Sequence, residues 1–332
     1  MALPRSSRSA STGCAALLCL AALLAGCATS PGWPTPDAGT QSVPEHVVLE
    51  DVPFYPQEKY QCGPASLAMM LNSQGLHTHP DILRELVYIP GREGSLQVEM
   101  VAAGRAHGML VYPLDGTLAS LLREVSAGHP VLVMQNLGLD WWPQWHFAVV
   151  IGYDAQARDL ILHTDTREQE AISQKVFHNT WARADNWAVV MLPPDTVPAT
   201  AQPLAFLKAA YDLETTGRTT AARQAYITAE QQWPDQPAAV MAQGNLAWQK
   251  GQWSQATAHF QRVVTRFPAF ADGWNNLAYA LEKQSCPSAA RRAAQCAAGL
   301  APERFGEPGT FSATGTGSQA ACPSLPDCPT SR

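Results

Sequence analysis

Lys59-Tyr60-Gln61-Cys62-Gly63-Pro64-Ala65-Ser66 runs without a break into Leu67-Ala68-Met69-Met70-Leu71. A cysteine directly before Gly-Pro and a run of good helix formers reads as a helix N-terminus, because proline's missing N–H costs nothing in a first turn. Unpaired N–H groups and the positive end of the helix dipole favour a thiolate there, so the pKa of Cys62 is expected below that of a free thiol. A small buried residue opening a core helix fits the same letters. The partners supplied by the rest of the chain decide between the two.

Working outward, Val47-Val48-Leu49 and Val52-Pro53-Phe54 read as a short strand leading through Gln57 to the Cys62 helix. Residues 81–88, 96–107 and 118–125 carry apolar side chains at helical spacing, the last behind Asp115-Gly116-Thr117, a plausible cap. From Pro130 onward the texture changes to strands, predicted over 131–134, 146–153, 159–163 and 187–192. Helices first and an antiparallel sheet second make an α+β domain, assigned to residues 47–195.

The predicted hairpin from His146 to Asp165 places candidate chemistry. With Asp154-Ala155-Gln156-Ala157 as its loop, Tyr153 faces Arg158, and equal steps outward set His146 opposite Asp165. Opposed residues have Cβ atoms about 5 Å apart, close enough for an imidazole N–H to reach a carboxylate. A slip of one residue would destroy the pairing. Cys62, His146 and Asp165 together supply the nucleophile, base and orienting acid that thiol catalysis requires.

Gln57, then Cys62-Gly63-Pro64-Ala65-Ser66-Leu67-Ala68, then Trp145-His146-Phe147-Ala148-Val149-Val150-Ile151-Gly152-Tyr153 and a later Asp resemble the papain-like bacteriocin-processing peptidases, which cut leader peptides after double glycine. The resemblance covers about residues 50–195. It implies a papain-like fold of helices packed on an antiparallel sheet, with Cys62 as nucleophile, His146 as general base and Asp165 as orienting carboxylate. It also implies Gln57 as oxyanion-hole donor, with Gln61 an adjacent alternative. Gln57 lies five positions before Cys62, where the family has about six, and Asp165 precedes Thr166 rather than the family's proline. The sequence shows no exporter or ATPase segment of the kind fused to classical leader peptidases, so a double-glycine leader is not inferred as substrate.

Trp141, Trp142 and Trp145 crowd the approach to His146 and are read as cover for the core edge rather than as a cleft wall. His77 and His79 lack a ligand-spaced Cys or carboxylate cluster and are read as loop residues, so neither a metal nor a cofactor is expected.

At the N-terminus, Arg5 and Arg8 precede an uncharged apolar segment over 15–25, which reads as an export signal. Leu24-Ala25-Gly26-Cys27 resembles the lipobox of bacterial lipoproteins, which implies cleavage, lipidation of Cys27 and anchoring by buried methylenes. Ala28 after the cysteine implies the outer membrane of a bacterial envelope, facing the periplasm. Residues 1–27 are thus a signal segment and the Pro-rich 28–46 a tether. A net charge of −6 without Lys/Arg runs argues against nucleic acid as a partner.

Pro234, Pro268 and Pro302 recur every 34 residues, as do Gly217 with Gly251 and Ala222 with Ala256 and Ala290. This resembles tetratricopeptide (TPR) repeats over 203–302, an all-α superhelix with Phe206, Val240 and Trp274 at the first bulky position and Ala210, Gly244 and Ala278 at the small one. Its concave face is expected to bind protein or peptide, and a stabilising cap on the first domain is the plainer alternative. Residues 303–332 are expected to be mostly disordered unless Cys322 and Cys328 tie them to Cys286 and Cys296, four cysteines that can pair in three ways. That leaves Cys62 a free thiol in an oxidising compartment. The combined reading is a lipid-anchored cysteine peptidase with a protein-binding module. Its alternatives are an inactive peptide-binding scaffold of the same fold and a cell-wall amidase or acyltransferase.

Overall fold

The structure is a computed structural model and describes residues 32–34, 44–57, 61–306 and 322–329. Cys27 with its lipobox, the export signal and most of the tether lie outside the described residues, as do residues 58–60. The first long helix, α1 (Cys62–Asn72), is buried on every side, from Gly63 through Leu71. Such a helix has no amphipathic stripe and must sit inside the domain rather than on it. It lies between α2 (Pro80–Val87) and α3 (Gln97–Ala106) on one side and a sheet on the other. α4 (Leu118–Ser126) starts at Thr117, whose hydroxyl accepts the N–H of Ser120, the cap read from the sequence.

Seven strands form the sheet: β1 (His46–Val48), β2 (Leu110–Pro113), β3 (Val131–Asn136), β4 (Trp145–Asp154), β5 (Asp159–Thr164), β6 (Arg167–Ser173) and β7 (Ala188–Leu192). They run in the order β2-β7-β3-β4-β5-β6, with β1 beside the far end of β4 and every pair antiparallel. Gly152 lets β1 approach, because a Cβ there would lie 2.3 Å from the Val47 carbonyl oxygen. α5 (Gln174–Ala182) packs between β6 and β3. The α+β expectation holds, while β2, β6 and α5 are elements that the sequence reading did not anticipate.

The β4–β5 register corrects the hairpin arithmetic. Asp154 faces Asp159 and Tyr153 faces Leu160, so the loop has the four residues counted but lies one position further along the chain, at 155–158. A bulge at Ile151 then shifts the ladder, and Val149 faces His163. Continued outward, that register sets Thr166, not Asp165, opposite His146. β5 ends at Thr164, where the chain turns into β6 with Asp165 at φ 52°.

The helical region follows as α6 (Pro203–Thr215), α7 (Thr219–Gln232), α8 (Pro237–Gln249), α9 (Trp253–Arg266), α10 (Ala271–Lys283), α11 (Pro287–Leu300) and the single turn α12 (Pro302–Phe305). Phe206, Val240 and Trp274 are fully buried at their repeat positions. Gly244 must be small, since a Cβ there would lie 2.4 Å from the Phe260 ring. Gly217, Gly251 and Ser285, 34 residues apart, turn each pair with φ of 80°, 69° and 58°. Disulfides join Cys286 to Cys322 and Cys296 to Cys328, fixing residues 322–329 against the last repeats.

Helices and sheet join through polar contacts. Arg105 of α3 pairs with Asp212 of α6. Glu124 of α4, fully buried, accepts the N–H groups of Ala199 and Thr200, the Thr200 hydroxyl and the His129 imidazole. No helix among the described residues is long and apolar enough to cross a membrane.

Candidate active site

A cleft of about 1500 Å³ opens where the start of α1 meets the first residues of β4, and Gln57, Cys62, Ser95, Trp145, His146 and Asp165 are among its lining. Two elements converge there for plain reasons. α1 is fixed by burial, and Ser95, from the loop before α3, packs so closely on Gly63 that a Cβ at 63 would lie 2.1 Å from its hydroxyl. β4 is fixed by pairing with β3, where Gln135 faces His146. The intervening loop is held by Asn136, whose Oδ1 accepts the N–H groups of Gly138 and Gln144.

Cys62 is a free thiol at the first position of α1. Its pKa departs from the expectation. Burial raises it above the ordinary value, and the backbone N–H groups of Phe147, Gly63 and Cys62 itself, which favour the thiolate, do not overcome that. His146 is neutral in the same site, its pKa pushed down to about 4, first by burial and further by the Arg167 charge, with the Asp165 charge opposing. At rest an uncharged thiol and an uncharged imidazole thus line one cleft.

His146 Nε2 lies 2.7 Å from the Thr164 hydroxyl. With Nε2 donating to Thr164 Oγ1, Nδ1 keeps its lone pair and is the nitrogen left for the thiol. Asp165 acts on the ring as a nearby charge, while its backbone carbonyl accepts the Gln57 N–H at 2.9 Å. The Gln57 side chain is buried; its amide nitrogen donates to Ser66 Oγ and the Phe147 carbonyl at 3.3 and 3.4 Å, and its Oε1 has no partner. Both donors therefore face the wall, and serving an oxyanion would require releasing one. Gln61 sits at the N-cap of α1 with no side-chain capping bond.

Trp141, Trp142 and Trp145 are 77, 66 and 51 % exposed, and Trp142 and Trp145 line the cleft. Trp142, on the 137–144 loop, and Trp145, at the exposed start of β4, wall it rather than cover a core edge. His79 caps α2 by accepting the Asp81 N–H. No group of three or more His, Cys, Asp or Glu residues among the described residues could hold a metal ion.

Thr164, the Phe147 amide and Ser95 are site groups that the sequence reading missed. Thr164 adjoins the quoted aspartate and was legible in principle. The backbone amide and the Ser95 contact depend on tertiary packing and leave no mark in the letters.

Residues 49–189 match the model of the Peptidase_C39 like family, and 207–256 and 241–304 match that of the tetratricopeptide repeat. Similar solved structures include a protein from Bacillus anthracis described as a C39-like peptidase, 19 % identical with a TM-score of 0.37 over 45 % of this chain and 98 % of that one. Another is the peptidase domain of Streptococcus ComA, a bi-functional ABC transporter involved in quorum sensing, 21 % identical with a TM-score of 0.36 over 43 % and 98 %. No curated protein matches the chain. Residues 49–189 thus form an antiparallel sheet with packed helices, an α+β fold that matches the Peptidase_C39 like family over that span, and the helices that follow match the tetratricopeptide repeat.

Proposed function

We propose that this chain is a cysteine peptidase, anchored by a lipid on Cys27 in the outer membrane facing the periplasm, whose repeats hold a protein or peptide partner. The observation that carries the reading is the convergence in one cleft of a free thiol at a buried helix N-terminus and an imidazole whose far nitrogen is fixed by Thr164. As His146 Nδ1 takes the thiol proton, the Cys62 sulfur forms a bond to the substrate carbonyl carbon. The tetrahedral adduct collapses, the C–N bond breaks, and the imidazolium gives its proton to the leaving amine. Water attacks the resulting thioester, losing a proton to the imidazole, and the sulfur departs and regains its proton. Asp165 stabilises the imidazolium, and the Phe147 amide favours negative charge on sulfur. The free Cys62 beside two disulfides fits an oxidising compartment.

The pH dependence of Cys62 alkylation by iodoacetamide tests the pair. Burial lowers the His146 pKa to about 4 and raises that of Cys62, so between those limits the pair holds a single proton. The free thiolate makes the rate rise about tenfold per pH unit. A thiolate–imidazolium form, whose share of the singly protonated pair does not change with pH, adds a constant rate beneath it, so the wild-type rate is expected to level off toward about pH 5 instead of continuing to fall. In His146→Ala the rate should fall about tenfold per pH unit below the thiol pKa. A slope of one in both proteins would end the peptidase reading and favour the second: a scaffold that only holds peptides, to which the inward-turned Gln57 amide points.

A further inference from the structure

His163 ends the apolar run Leu160-Ile161-Leu162 of β5 and is 1 % exposed, so its two ring nitrogens must be accounted for inside the protein. Nε2 lies 3.1 Å from the Val52 carbonyl oxygen, and the Gln169 N–H donates to Nδ1 at 3.2 Å. A nitrogen that accepts an N–H carries no proton, so the ring is the neutral tautomer with its proton on Nε2, donating to Val52. Both bonds exist only in that form. Burial lowers the pKa of His163, with the Val52 carbonyl and the Glu168 and Glu50 charges opposing, which keeps the ring neutral. The Phe54 ring packs on it, 5.2 Å between centroids.

Each partner belongs to a segment that carries the site. β5 and β6 pair Leu162 with Glu170 but Thr164 with Arg167, a one-residue shift between His163 and the turn, with Gln169 at φ 52°. The bulge turns the Gln169 N–H away from the ladder, and His163 takes it. That shift sets the turn holding Thr164, which meets His146, and Asp165. On the other side, Val52 begins the segment that ends at Gln57, whose N–H bonds the Asp165 carbonyl.

We propose that His163 is a positioning residue for the Cys62–His146 pair: it clamps the bulged β5–β6 turn to the 52–57 segment and so aims Thr164 at His146. The assignment rests on the peptidase reading of that pair. A ring displaced by even 1 Å can lose up to about a hundredfold in rate.

The experiment measures iodoacetamide alkylation of Cys62 at pH 6 and the thermal midpoint in the full chain. His163→Phe, which keeps the ring and removes both bonds, is expected to slow alkylation about tenfold; His163→Gln, whose amide offers N–H donors and a carbonyl acceptor, should return it to within about threefold of wild type. If the Phe variant does not fold, His163→Asn carries the test, since its shorter amide reaches one partner only, and the same tenfold loss is expected. A purely structural role would lower the midpoint and leave the alkylation rate unmoved. Should Thr164→Val and His146→Ala slow alkylation while His163→Phe or His163→Asn does not, the His163 assignment falls and the peptidase reading stands. If His146→Ala is also without effect, both fall.

Discussion

At Gly63 the fold of the site comes down to a missing methyl group. Ser95 Oγ and Cβ would lie 2.1 and 2.5 Å from a Cβ at position 63, and the Met100 sulfur 3.4 Å. Gly63→Ala must therefore push the Ser95 loop off the helix start, and overpacking of this kind costs typically about 1–3 kcal/mol. The expected outcome is a lower unfolding midpoint together with slower Cys62 alkylation, because the loop that moves also lines the cleft. Removing the obstructing side chain in Gly63→Ala/Ser95→Gly should recover most of both losses, and a double-mutant cycle measures the coupling. Additive effects would show that the two residues do not share the contact. The thiol's neighbours differ in how far the letters announce them. Cys62, Gly63 and Pro64 declare a helix start by themselves, yet the sign of the Cys62 pKa shift depends on burial by residues far along the chain. Helix-terminus reasoning supplied the correct favourable contribution and missed the larger opposing one.

Elements were legible where their pattern was local. α2, α3 and α4 carry apolar residues on a helical period, and β3, β4, β5 and β7 are nearly continuous apolar runs, because they lie inside the sheet. β6, with sequence REQEAIS at the sheet edge, is largely exposed and carries no buried face to read. β2 is four residues long and announces itself only by pairing with β7. The bulge at Ile151 is likewise a tertiary choice, since β1 runs beside Gly152; equal-step counting had already failed at the loop, where Tyr153 faces Leu160 and not Arg158. α4 has a function that its helical period could not reveal, because Glu124 on its buried side holds the segment entering α6. Burial alone would raise the Glu124 pKa, but bonds from His129, the Thr200 hydroxyl and the N–H groups of Thr200 and Ala199 bring it below the ordinary carboxylate value. A depressed carboxylate contributes stability that is present above the unfolded pKa near 4.5 and lost as pH falls through the lower folded value. Glu124→Gln is thus expected to destabilise the protein at pH 7 by about 2–4 kcal/mol and to flatten the acid limb below pH 4.5, followed by urea unfolding at both pH values. An unchanged acid limb would place the pH dependence in other carboxylates.

Across the whole molecule, the repeat period and the cysteine positions describe the same design. A 34-residue interval was readable at long range because each repeat reuses one turn and one small-for-large contact, Gly244 against the Phe260 ring among them. The last repeat is the weak one by composition: α11 buries Ala289, Ala290, Ala293, Ala294 and Ala297, which remove little apolar surface from water. The disulfides act at that helix. Cys286 opens α11 and Cys296 lies within it, and their partners Cys322 and Cys328 bring Leu325 onto the same apolar cluster, with the Ser324 carbonyl accepting from Gln261. Of the three possible pairings, the one formed crosses from helix to tail twice rather than closing either segment on itself. The Cys286–Cys322 bond spans 36 residues, and loop-closure entropy for that length gives roughly 3–4 kcal/mol. Cys286→Ser/Cys322→Ser is therefore expected to lower the unfolding midpoint and to raise amide exchange in α10 and α11. Cys62 alkylation should stay within about twofold, because nothing in the cleft touches these helices. Exchange confined to the tail, with α11 as protected as in wild type, would instead make the bonds an attachment for residues 322–329 that leaves the repeats to stand on their own packing.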